Sequence, residues 1–114
     1  MSSMFSGCSS LTFINFSNIN TSSVSDMSNM FYGCVNISSL DLSNFDTLKV
    51  NNMSCMFSGV SSLKLLNLSN FYTTFVKNMS RMFENDILLE TIDISHFAIE
   101  TVVDISYMFS GCLY

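Results

Sequence analysis

The chain has 114 residues, 48% of them hydrophobic, a net charge of −5, and only four cations, Lys49, Lys64, Lys77 and Arg81. That length suits one domain with a modest core, and the hydrophobic share excludes a disordered chain. The charge balance leaves no basic footprint for nucleic acid or for an anionic membrane surface.

No apolar run exceeds three residues, so no stretch of the sequence is suited to spanning a bilayer. The start, Met1-Ser2-Ser3-Met4, lacks the basic and apolar regions of a signal peptide. Self-similarity dominates what remains. The dipeptide Met-Phe recurs at Met4, Met30, Met56, Met82 and Met108, always 26 residues apart. Periods of this length are the signature of stacked repeat architectures.

In chain order, the sequence opens inside a helical segment that ends at Gly7. A strand follows over Leu11, Ile14 and Phe16, then a turn through Ile19, a connecting stretch to Val24, and a second helical segment through Met27, Met30 and Phe31. The succession returns as Ile37, Leu40, Leu42, Phe45, Val50, Met53 and Met56. It returns again as Leu63, Leu66, Leu68, Phe71, Val76, Met79 and Met82. The last round is Leu89, Ile92, Ile94, Phe97, Val102, Ile105 and Met108.

In the second round Leu40 and Leu42 alternate with Asp41 and Ser43, the pattern of a strand with one buried face. Val50, Met53, Met56 and Phe57 then fall at helical spacing. Asp26, Asn52, Asn78 and Asp104 stand where an N-cap would, and Gly7, Gly33, Gly59 and Gly111 stand where a left-handed stop would. Asn85 replaces glycine in the one round that lacks it. A two-turn helix is unstable alone, so stability is expected from neighbouring rounds.

The expected fold is therefore an α/β repeat. It is a right-handed, leucine-rich-repeat-like solenoid whose 26-residue coils each hold a short parallel β-strand and a short helix. Residues 1–114 are expected to form a single solenoid domain of about four and a half repeats. They are expected to be a fragment of a longer array that associates end to end when alone.

The segment Ile37-Ser38-Ser39-Leu40-Asp41-Leu42 matches the LxxLxL core of leucine-rich repeats. Leu40 to Thr47, followed by Val50 to Gly59, resembles the BspA-type leucine-rich-repeat surface proteins. Met4-Phe5-Ser6-Gly7-Cys8 and Met30-Phe31-Tyr32-Gly33-Cys34 fit the end of that family's unit. The resemblance covers essentially the whole chain. It implies a cell-surface or secreted protein engaged in adhesion and host contact, with no catalytic residues. Two departures stand out. Phe45, Phe71 and Phe97 occupy the place of the usual asparagine ladder, and the fourth round carries Asp86 for cysteine and Ala98-Ile99-Glu100 for the Asp-Thr turn.

The outward strand positions Asn15, Asp41, Asn67 and Asp93, with Ser17, Ser43, Ser69 and Ser95, form a polar, mildly acidic strip. Alternating Asp with Asn doubles the spacing between carboxylates on adjacent strands. The strip reads either as a binding surface for a protein or glycan on a host or matrix, or as a solvated face kept soluble. A structural spacer is the corresponding alternative for the whole chain. Other partners are neighbouring repeats of the same chain; nucleic acid and membrane insertion are excluded.

Neither cofactor nor metal is implied: there is no CxxC pair, and His96 is the single histidine. It stands in a column of Asn18, Asn44 and Asn70 with no nucleophile in a recurring arrangement, so it reads as drift. Cys8, Cys34 and Cys112 share a station with Val60, which suits buried thiols; a Cys8–Cys34 disulfide is the other reading. The methionine columns read as core packing rather than copper ligands. Six N-x-S/T sequons follow from a chain rich in Asn and Ser.

Overall fold

Backbone hydrogen bonding decides what the Met-Phe segments become. In a computed structural model that describes residues 1–113, Met27, Asn29, Phe31 and Gly33 each donate their N–H to a carbonyl 25 residues later, on Asn52, Ser54, Met56 and Ser58. The amides between them close back three residues, Met30 to Met27, Tyr32 to Asn29 and Cys34 to Phe31. Ser28 donates to Asp26 Oδ1 at 2.8 Å. The same division recurs from Met53 to Val60 and from Met79 to Asp86. Every amide of the segment is thus satisfied, and none needs the i→i−4 bond of a helix.

Dihedral angles give the reason. Asn29, Cys55, Arg81 and Tyr107 take positive φ of 54–57°, and Gly33, Gly59, Asn85 and Gly111 take 63–77° four residues later. Two left-handed residues per segment interrupt any right-handed helix and supply the third residue of type II turns. The described residues therefore hold no helix.

The strands are fewer than expected as well. Among the described residues only β1 (Ser39–Asp41) and β2 (Leu65–Asn67) form, paired in parallel with Leu40 opposite Leu66. Isolated parallel bridges join Asp26 to Asn52, Asn52 to Asn78, and Asn78 to Asp104. The chain is compact, 32 × 32 × 22 Å. The α/β leucine-rich-repeat-like solenoid of strand–helix coils is overturned by these findings: the segments expected as helices are runs of turns, and among the described residues the expected strands form only at β1 and β2.

Hydrophobic side chains from both halves meet in one core. Phe5, Phe31, Phe57, Phe83 and Phe109 stack with ring centroids 5.4–5.7 Å apart and planes within 6–9°. Phe45 and Phe71 stack at 6.2 Å, and Phe16 meets Phe45 edge-on at 5.1 Å. Met27, Met30, Met53, Met56, Met79 and Met82 are buried among them. Ile105, in the Met27 column, is exposed.

A polar spine crosses this core. The Thr47 hydroxyl donates to the Tyr72 carbonyl at 2.8 Å and accepts the Tyr72 N–H at 2.7 Å. Thr21 does the same with Asp46, and Thr73 with Ala98. All three threonines are at most 2% exposed.

Candidate functional site

The strip residues lie where the β1–β2 layer faces solvent. Asn15, Ser17, Asp41, Asn67, Ser69, Asp93 and Ser95 are exposed, and Ser43 is half-buried. Local chemistry fixes each pair. The Oδ1 atoms of Asn15, Asp41, Asn67 and Asp93 accept the N–H of Ser17, Ser43, Ser69 and Ser95 at 2.8–3.1 Å. These are Asx turns, in which the side chain substitutes for a backbone acceptor and ends the extended segment. Half of the candidate site thus has a structural duty of its own.

Spare polar capacity remains. The protein's own bonds to Asp41 and Asp93 all fall on Oδ1. The Ser43 hydroxyl, with its amide, holds the Asp41 carboxyl below its ordinary range; Ser95 does the same for Asp93. Between them Asn67 donates Nδ2 to Asp41 Oδ1 at 3.2 Å, so an amide separates the two ionised carboxylates. Shallow grooves run along the strip. One of about 390 Å³ lies between β1 and β2, lined by Ser39, Leu40, Asp41, Leu65, Leu66 and Asn67. A second lies beside Phe13, Asn15, Ser17, Asp41 and Asn44.

Sequence reasoning missed the apolar flank of this face. Phe13 is 71% and Leu65 70% exposed, and both line the grooves. Their column reads Phe13, Ser39, Leu65 and Thr91, so no recurring residue type marked it. The Asn70 and His96 side chains reach back to the preceding round, to the carbonyls of Ser43 and Leu68. His96, read as drift, therefore makes the same kind of contact between rounds as Asn70.

Elsewhere, Cys8, Cys34, Cys55 and Cys112 are free thiols. Cys34 is buried and donates from Sγ to the Phe5 carbonyl at 3.1 Å, whereas Cys8 is exposed. Burial pushes the Cys34, Cys55 and Cys112 thiols up. Among the described residues, no three His, Cys, Asp or Glu side chains gather as a metal site would require. No helix among them is long and apolar enough to cross a membrane.

A family model described as "Mycoplasma protein of unknown function, DUF285" matches residues 1–113. No curated protein and no solved structure matches the chain.

Proposed function

The chain belongs to this Mycoplasma family of unknown function, DUF285, and we propose that it is a non-catalytic, cell-surface binding module whose contact face is the polar strip. The observation that carries the reading is the joint exposure of Asn15, Asp41, Asn67 and Asp93 beside Phe13 and Leu65 on one grooved face. Polar groups flanked by exposed apolar side chains suit a protein or glycan partner, which needs hydrogen bonds for orientation and apolar contact for affinity. The resemblance to BspA-type surface proteins supports the location and the adhesive role.

The test is a Ser43→Lys, Ser69→Lys double variant, assayed against host matrix proteins and glycans. Two lysines on the strip block it sterically and cancel the charge of Asp41 and Asp93. We expect at least a tenfold loss of binding to any partner that the parent protein retains, with the fold unchanged by circular dichroism. Equal binding by the folded variant overturns the strip as the contact face. Absence of binding by the parent protein itself favours the spacer reading instead.

A further inference from the structure

Asp86 occupies the station held by Cys8, Cys34, Val60 and Cys112 in the other rounds. Its side chain is completely buried. Oδ1 accepts the Val60 N–H at 2.9 Å, while Oδ2, equally buried, has no partner. A buried oxygen without a hydrogen bond is a costly exception in a folded protein.

The thiols at this station show what the site requires. Cys34 Sγ donates to the Phe5 carbonyl at 3.1 Å and Cys112 Sγ to the Phe83 carbonyl at 3.0 Å, each 29 residues earlier. The corresponding carbonyl for Asp86 belongs to Phe57. A carboxylate has no proton to give, but a carboxylic acid does, and Oδ2 is the oxygen available to carry it.

No cation offsets the alternative, ionised state. The round below presents Gly59 and Val60, which carry no charge, and the round above presents the Cys112 thiol, itself raised chiefly by burial. In its own turn, Arg81 and Glu84 pair with each other at 3.0 Å. Burial pushes the Asp86 carboxyl up to about 7, against a weaker opposing effect of the Val60 amide.

We propose that Asp86 is a pH-sensitive latch between the third and fourth rounds: its neutral acid fastens the turn around it onto Val60 and the Phe57 carbonyl, and ionisation loosens that turn. The folded state holds the proton more tightly than the unfolded chain, whose carboxyl titrates at about 4. The latch is therefore fully closed below about pH 4. It weakens as pH rises through about 7, by up to about tenfold in the opening constant for each pH unit.

Amide hydrogen exchange across pH 5–8.5 reads this directly. The Val60 N–H, shared between Asp86 Oδ1 at 2.9 Å and the Phe57 carbonyl at 3.1 Å, and the Leu89 N–H, bonded to the Asp86 carbonyl, are the reporters. Their protection factors are expected to fall by about 10- to 100-fold across this range, levelling off above about pH 7. The Phe31 N–H, two rounds away, serves as the reference. An Asp86→Cys variant, which restores the station's thiol, is expected to show no such fall, and so is Asp86→Asn. His96 is present in all three proteins and so cancels in the comparison. A carbon-13 titration of the Asp86 carboxyl accompanies the exchange series and does not depend on either variant folding. A midpoint near 7 supports the latch. A midpoint near 4, or the same fall in protection in Asp86→Cys, overturns it.

Discussion

The Thr47 hydroxyl serves two backbone groups of one residue at once, donating to the Tyr72 carbonyl and accepting from the Tyr72 amide. No aliphatic side chain of the same shape does either. Thr47→Val should leave both groups unpaired in a largely dry setting, where each orphan costs about 1–3 kcal/mol. The expected loss is about 2–4 kcal/mol, read as a fall in the urea midpoint at unchanged m-value. Thr47→Ser keeps the hydroxyl and loses one methyl group, so it should cost only about 1 kcal/mol. Equal losses in the two variants would show that the hydroxyl contributes no more than the methyl group. The sequence hides this role because a threonine beside Asp46 reads as turn punctuation. Only the carbonyl 25 residues later reveals it as a cross-link. Asp86 is hidden differently: it looked like loss of a motif, whereas it is a buried acid set into a thiol's place.

At the scale of the element, the glycine stations were readable and the left-handed station before them was not. Gly33, Gly59 and Gly111, and Asn85 in their column, take the positive φ that glycine and asparagine tolerate best. The other station holds Ser3, Asn29, Cys55, Arg81 and Tyr107, residue types that announce nothing. That is why a helix seemed required. Turns that close every three residues return Met53, Met56 and Phe57 to one face just as a helix does, so periodicity alone did not separate the two. The cap residues misled in the same way: Asn52 Oδ1 accepts the Ser54 amide at 3.1 Å, but it opens a turn and bridges Asp26 and Asn78. Gly59 offers a clean test. A Cβ there would meet only Gly33 backbone atoms at 3.7 Å, an ordinary contact, so the dihedral alone sets the penalty. Gly59→Ala should lower stability by about 1–2 kcal/mol, and Gly59→Asn by less, measured by chemical denaturation. An asparagine variant as unstable as the alanine one would refute this ordering.

Across the whole molecule, the polar face depends on the order of residues between rounds. Ser43 and Ser95 keep Asp41 and Asp93 ionised two rounds apart, and Asn67 lies between them and donates to Asp41. Asn67→Asp would place three carboxylates in neighbouring rounds and remove that donor. It should destabilise the fold by about 0.2–1 kcal/mol at low salt, with most of the loss recovered at 1 M salt, where charges are screened within about 3 Å. Thermal melts at the two ionic strengths measure the difference, and a loss insensitive to salt would point to the missing amide rather than to repulsion. The positions of the strip residues were readable from strand alternation; their Asx turns and the exposed Phe13 and Leu65 beside them were not. Alternation reports which face a residue takes, not what its side chain does there.

The backbone hydrogen bonds that leave the Met-Phe segments also share a sense. From Phe5 to Asn85 they run from an amide of one round to a carbonyl of the next, while the few that run back, such as Lys77 N–H to Asn51, lie outside those segments. Strand dipoles in a sheet largely cancel, but these peptide dipoles add and polarise one another. These bonds consequently carry an electrical polarity along their own direction, positive toward the later residues, opposite in chain sense to an α-helix. A charged surface would orient such a molecule whatever its net charge, with the side of higher numbering turned toward anions and the side of lower numbering toward cations.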